Sequence, residues 1–150
     1  MIGIVGGGLA AAKLVEAYRE AGGTDDVVVW SQDPRGPYHR PPLSKALLRG
    51  EAEPENALIE LQGVDVRLGD TVSSLDEVEA DTVVIATGAR PRPLGDALLL
   101  RTLDDSLALR ERARASRTAT VVGGGFIGSE VTASLTTLGL QVTQVVREPA

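Results

Sequence analysis

The chain carries one short device written twice. Residues Ile2 to Ala11 and residues Thr120 to Gly128 each run from a brief apolar stretch through three consecutive glycines, Gly6 to Gly8 and Gly123 to Gly125. An apolar stretch of this length suits a strand buried on both faces. After the first glycines, Leu14, Ala17, Tyr18 and Ala21 recur at helical spacing and Gly22-Gly23 supplies a stop. After the second, Ile127, Val131, Leu135 and Leu138 recur in the same way and Gly139 ends the run. A second apolar stretch then follows in each copy, Val27 to Trp30 and Val142 to Val146. Strand, glycine turn, helix and strand make a βαβ unit, and the chain holds two.

The glycines have a physical purpose. A diphosphate brings negative charges that a helix N-terminus can meet with free N–H groups and the positive end of its dipole. In this reading Gly6 allows the tight turn and Gly8 lets phosphate approach the backbone. A small third residue, Ala11 in the first copy and Gly128 in the second, lets the helix press on the strand. Glycine-rich turns are common, but two in one chain, each flanked by strand and helix, point to two dinucleotides. A flavin in the first unit and a nicotinamide in the second would let two redox rings meet.

The middle is less regular. Residues 34–42 contain four of the eight prolines, so neither a regular helix nor a central strand is expected there. Ser44 to Arg49 reads as a short helix, Val64 to Leu68 as a half-buried strand, and Asp81 to Gly88 as a buried strand. Asp104 to Arg114 reads as a helix with acids in its first turn and arginines in its last.

Composition closes off other chemistry. The chain has no cysteine and one histidine, His39, so thiol catalysis, zinc–thiolate sites and a Ser-His-Asp triad have no material. No metal site is expected. A net charge of −6 argues against nucleic acid as a partner. No apolar run reaches the roughly 20 residues of a membrane span, and the start lacks the form of a signal peptide, so a cytoplasmic protein is expected.

Pro37-Tyr-His-Arg-Pro-Pro-Leu-Ser-Lys-Ala46 resembles a signature of the FAD-dependent ferredoxin reductases of the putidaredoxin and rubredoxin reductase type, within the pyridine nucleotide-disulfide oxidoreductase superfamily. Val83 to Leu94 resembles their Ala-Thr-Gly strand, and Leu100 to Asp105 their crossing segment. The motif order matches along nearly the whole chain. The fold implied is α/β: a Rossmann-like FAD-binding βαβ unit, then the start of a second Rossmann-like NAD(P)-binding unit, in three layers of sheet and helices. Residues 1–100 would belong to the FAD domain, 101–117 to a crossing segment and 118–150 to the start of the nicotinamide domain.

The resemblance also implies roles. Gly6, Gly8, Leu9 and Ala10 would line the FAD diphosphate. Arg40 and Lys45 would lie along the flavin, with Lys45 near its reactive edge. The Val72 backbone would meet the adenine, Ala86, Thr87 and Gly88 would pack beside the cofactor, and Arg101 would contact it. Gly123, Gly125, Ile127 and Gly128 would hold the nicotinamide cofactor's diphosphate. Phe126 stands where relatives place an aromatic gate, and Glu130 where they keep an acid near the lysine.

An ammonium near a flavin favours its reduction, but a lysine against a ring needs a partner. Glu130, on the first turn of the second glycine helix, is expected to pair with Lys45 across the two βαβ units. For Arg40 and Arg101 the plainer alternative is a surface ion pair, and for Phe126 core packing.

Several features depart from the family pattern. The acid that closes the second strand to hold a ribose is replaced by Gln32, with Asp33 after it. In the second copy Arg147 and then Glu148 follow Val146. A guanidinium there suits a 2′-phosphate and favours NADP over NAD. The segments on either side of Val72 are short, and the family continues beyond the point where this sequence stops, so an exposed sheet edge is expected. The function expected is a flavoprotein oxidoreductase in which NAD(P)H reduces FAD and electrons pass to a ferredoxin-type iron–sulfur partner. Alternatives are an oxidase or a quinone or small-molecule reductase, and, in another class, a non-catalytic nucleotide-binding module.

Overall fold

A computed structural model describes residues 1–147. The chain folds into two compact units, Met1–His39 with Leu58–Ala89, and Arg40–Ala57 with Arg90 onward. Residues 40–57 therefore pack with the later part of the chain.

The first unit is built on four parallel strands, β1 (Ile2–Val5), β2 (Val27–Ser31), β3 (Asp65–Leu68) and β4 (Thr82–Ile85), in the order β3-β2-β1-β4. Helix α1 (Leu9–Glu20) connects β1 to β2. Registers Ile4↔Val29, Ile4↔Val84 and Val29↔Val66 put these side chains on one face. There they close over Ala11 and Val15 of α1, with Ile4, Ala11 and Val29 fully buried. Burying a side chain such as Val15 contributes about 1.5–3 kcal/mol, more than the helix propensity of a 12-residue segment supplies alone.

Alternate residues Val5, Val28 and Trp30 face the other way and are covered by Val72, Val78 and Ala80. That second cover is a loop with one 3₁₀ turn at Leu75–Glu77, capped by the Ser74 side chain. Arg67 lies 4.9 Å above the Trp30 ring. Strand β4 corrects the expectation of a buried strand over residues 81–88. It pairs only with β1, at the sheet's edge, and Ile85 is 65% exposed.

In the second unit a 3₁₀ turn, Pro41–Ser44, leads into α2 (Ala46–Arg49). The regular helix starts later than expected because Lys45, at φ −121° and ψ −111°, leaves the helical backbone between the 3₁₀ turn and α2. Helix α3 (Leu103–Arg114) opens with a capping box: Thr102 accepts from the Asp105 N–H, and Asp105 accepts from the Thr102 N–H at 2.7 Å. Strands β5 (Thr118–Val122) and β6 (Gln141–Val145) pair in parallel and are joined by α4 (Phe126–Thr137). Val131 and Leu135 of α4 pack with Leu48, Ala113 and Leu140, flanked by Ala119, Val121 and Val142 from the strands. On the alternate positions Val122 and Val145 are exposed. Among the described residues no helix is long and apolar enough to cross a membrane, and no group of three or more metal-ligating side chains is gathered.

Candidate functional site

The two glycine turns have nearly the same backbone. Gly6 and Gly123 sit at φ +115° and +126°. Gly8 (φ −97°, ψ −171°) and Gly125 (φ −80°, ψ −179°) are the N-caps of α1 and α4, and neither helix receives a side-chain cap. The N–H groups of both first turns therefore lack intrahelical and side-chain partners and lie at the positive end of the dipole. A Cβ built at Gly6 would stand 2.3 Å from the Ala86 carbonyl oxygen, whereas nothing lies within 4 Å of one at Gly8 or Gly125. The cradle is closed beneath and open in front, which fits a diphosphate on both counts. In the second copy a Cβ at Gly128 would stand 2.2 Å from the Gly123 carbonyl oxygen, so this residue sets how closely α4 approaches its turn.

Leu9 and Ala10 are exposed beside the first turn, while Ala11 is fully buried beneath it. At the end of β2, Gln32 is exposed. Asp33 accepts from the Arg35 N–H at 3.0 Å and from the Tyr38 hydroxyl at 2.8 Å, so its carboxylate closes the 33–38 turn. Val72 is half-buried against the Trp30 face. Ala86 extends the β1–β4 ladder by donating to Val5 O at 2.7 Å, and Thr87 and Gly88 emerge exposed after it. In the second unit Ile127 is 57% exposed on the first turn of α4. Arg147 is exposed after β6. Glu148 lies outside the described residues.

A cavity of about 280 Å³ opens in the second unit. Its charged lining is Arg40, Lys45, Arg101 and Glu130, and its apolar lining includes Leu43, Leu100, Phe126 and Ile127. Three cations face one carboxylate in a chain whose net charge is −6, so the cavity suits an anionic or electron-rich ligand. Lys45 Nζ lies 2.8 Å from Glu130 Oε1. Both residues belong to the same compact unit, so the contact ties the segment before α2 to α4 instead of bridging two units. Because α4 begins at Phe126, Glu130 falls on its second turn, not on the first as expected. Arg40 Nη1 donates to the Arg101 carbonyl at 2.5 Å, which fixes its guanidinium at the rim. Phe126 is 91% exposed, which rules out core packing for it.

The Lys45 ammonium, and after it the Ser44 hydroxyl, hold the Glu130 carboxyl below its ordinary range, while desolvation works the other way. Ser44 Oγ donates to Glu130 Oε2 at 2.5 Å. Sequence reasoning missed this serine together with two more. Ser106, fully buried on α3, donates to the Leu43 carbonyl at 2.7 Å, and Ser134, 1% exposed on α4, donates to the Ser44 carbonyl at 2.7 Å. The available signal was a serine standing within each helix's apolar stripe.

Comparison with known proteins agrees with this construction. Residues 2–150 match the family model described as pyridine nucleotide-disulphide oxidoreductase. A probable ferredoxin reductase of Castellaniella defragrans is 34% identical over 91% of this chain and 39% of its own length. The ferredoxin–NAD(+) reductase component of a p-cumate 2,3-dioxygenase system of Pseudomonas putida is 33% identical over 95% of this chain and 41% of its own length. Among solved structures, the covalent putidaredoxin reductase–putidaredoxin complex matches with a TM-score of 0.84 at 30% identity, over 95% of this chain and 41% of that one. A ferredoxin reductase from Rhodopseudomonas palustris matches with a TM-score of 0.87 at 30% identity, with the same coverage. The chain spans about two fifths of the length of these curated relatives. With paired glycine turns, parallel strands and a family match along almost its entire length, the chain belongs to the pyridine nucleotide-disulphide oxidoreductase family.

Proposed function

We propose that this chain works in an FAD-dependent oxidoreductase that draws electrons from NAD(P)H and delivers them to a ferredoxin-type iron–sulfur protein in the cytoplasm. The observation that carries the reading is the pair of uncapped glycine turns, open at Gly8 and Gly125, in a chain similar to named ferredoxin reductases. Bound FAD would supply the exchange between two-electron hydride chemistry and one-electron transfer.

In this reading residues 1–100 serve the flavin, 101–117 form a crossing segment and 118–150 begin the nicotinamide-binding part. Gly8, Leu9 and Ala10 present N–H groups to the FAD diphosphate and Gly6, whose own N–H goes to the Trp30 carbonyl, shapes the turn that lines it, with Gln32 and Asp33 at the ribose end. The Val72 backbone meets the adenine, and Ala86, Thr87 and Gly88 pack beside the cofactor. Arg40, Lys45 and Arg101 face its electron-rich atoms, and Lys45 favours a reduced ring by its charge. Glu130 keeps that ammonium in place and limits its cost of desolvation. Phe126 acts as an aromatic cover. Gly123, Gly125, Ile127 and Gly128 take the nicotinamide coenzyme's diphosphate, with Arg147 and Glu148 at its ribose; Arg147 inclines the choice toward NADPH.

Flavin absorbance of the purified chain after incubation with FAD, followed by anaerobic addition of NADPH, tests the reading. Binding with bleaching is expected. A chain that stays colourless with excess FAD overturns it, and binding without bleaching points instead to a nucleotide-binding module.

A further inference from the structure

Glu130 is gripped at both oxygens by two successive residues. Lys45 Nζ takes Oε1 at 2.8 Å and the Ser44 hydroxyl takes Oε2 at 2.5 Å. Ser44 also lies 3.4 Å from the Pro41 carbonyl, but a hydroxyl has one proton to give, and the carboxylate is both nearer and charged. The Lys45 and Glu130 side chains are 45% and 32% exposed. An ion pair this open, carried on long side chains, holds its geometry poorly by itself. Ser44 is different: it is 4% exposed, and its own carbonyl is pinned by Ser134.

We propose that Ser44 is a positioning residue, whose hydroxyl fixes one oxygen of Glu130 so that the other stays turned to the Lys45 ammonium. The functional consequence rests on the reading that Lys45 serves a flavin; the grip on Glu130 does not. The charges around Glu130 agree with it. Glu130 is the one ionisable residue of α4. Lys45, Arg40 and Arg101 line the same cavity. Asp105 of α3 is turned to the N–H groups of Arg101 and Thr102, and Arg49 of α2 to Glu51 and Ser134. Lys45 first and the Ser44 hydroxyl second favour the ionised form of Glu130, and the hydroxyl, on the other oxygen, decides which way its carboxylate is rotated.

The test follows the carboxyl titration of Glu130 by carbon-13 NMR in the 150-residue chain, with and without FAD. The midpoint is expected to move upward in Ser44→Ala and to stay at its parent position in Ser44→Thr, which keeps the hydroxyl. In the FAD-loaded chain, Ser44→Ala is expected to slow reduction by NADPH roughly ten- to a hundred-fold. The same change made on Glu130→Gln is expected to add no further slowing, because Ser44 acts through Glu130. An unmoved midpoint in Ser44→Ala, or full additivity with Glu130→Gln, overturns the proposal. Failure to bind FAD removes the flavin reading but leaves the titration of the unloaded chain to decide the role of Ser44. Should Ser44→Ala not fold, the parent decides: its Ser44 hydroxyl proton exchanges slowly above the Glu130 midpoint and freely below it. Free exchange at every pH is the contrary result.

Discussion

Ser134 Oγ donates to the main-chain carbonyl of Ser44 at 2.7 Å, across 90 positions of sequence. The same hydroxyl oxygen accepts from Arg49 Nη1 at 3.2 Å. One buried side chain on α4 thus holds the backbone that carries Ser44 and Lys45, and does so from the helix that carries Glu130. Ser106 repeats the device from α3 on the neighbouring carbonyl of Leu43. Helix serines are weak formers when they stand alone, yet here each saturates a buried carbonyl that the Pro41–Ser44 turn leaves without a helical partner.

Removing either hydroxyl leaves such a carbonyl unpaired. Ser106→Ala and Ser134→Ala are each expected to cost about 1–3 kcal/mol in denaturant unfolding. Ser134→Ala should also leave the Arg49 guanidinium held by Glu51 alone, seen as a change in the nitrogen-15 shift of its Nη1. A change within about 0.5 kcal/mol for both would show that water replaces these bonds without penalty.

Glu130 makes stability depend on acid pH. Its folded-state pKa lies below the usual carboxylate value of 4.5, first through Lys45 and then through Ser44. A depressed pKa stabilises the fold fully above the unfolded value, and the contribution is lost as pH falls through the folded one. Thermal melts of the parent are therefore expected to fall from about pH 5 downward more steeply than those of Glu130→Gln, whose side chain does not titrate. Glu51, lowered by Arg49, leaves a residual slope in both proteins. Identical acid limbs would place the Lys45–Glu130 contact among surface pairs of no thermodynamic weight.

The parts of this architecture legible in sequence were those that rest on local backbone needs. Gly6 and Gly123 stand at positive φ, and the short apolar runs before them form strands β1 and β5, because each requirement is met within a few residues. The Lys45–Glu130 contact was legible as a charge problem: a lysine in a signature loop needs an acid, and the resemblance pointed to where one stands. Burial of β4 was misread because its pattern resembles an inner strand, and only the order β3-β2-β1-β4 reveals it as an edge. The serines' place in the apolar stripes of α3 and α4 marked them as buried, but their partners could not be read for a related reason. A helix serine in an apolar stripe gives no sign of which carbonyl it meets 90 residues away, because the partner exists only after packing. The placement of residues 40–57 with residues 90 onward is likewise long-range, since nothing local marks either end of the insertion.

Two glycines of one turn should separate folding from binding. Gly6→Ala combines φ +115° with a Cβ 2.3 Å from the Ala86 carbonyl oxygen, so a loss of at least about 1–3 kcal/mol in stability is expected. Gly8→Ala meets no atom within 4 Å at an ordinary φ of −97°, so its melting curve should stay close to the parent's. Its methyl group stands in front of the α1 N-terminus, where the diphosphate would approach. FAD affinity by fluorescence titration is then expected to fall roughly tenfold or more, about 1.4 kcal/mol. Unchanged affinity in a folded Gly8→Ala would remove the first turn from the cofactor site.

Coenzyme choice is expected to turn on Arg147, exposed just beyond β6. Its guanidinium can fork onto a 2′-phosphate, and β6 ends at Val145 with Val146 after it, so the strand's own end carries no carboxylate to repel the phosphate, although Glu148 follows Arg147 in sequence. The relative from the p-cumate dioxygenase system is named for NAD(+), which makes the comparison decisive. The FAD-loaded parent is expected to be reduced more efficiently by NADPH than by NADH. Arg147→Ala should lower the NADPH efficiency roughly tenfold while leaving NADH nearly unchanged, since only the phosphorylated ribose loses a charge-assisted bond. Equal losses for both coenzymes would assign Arg147 to the shared part of the molecule, and a parent that prefers NADH would leave the guanidinium without a phosphate to bind.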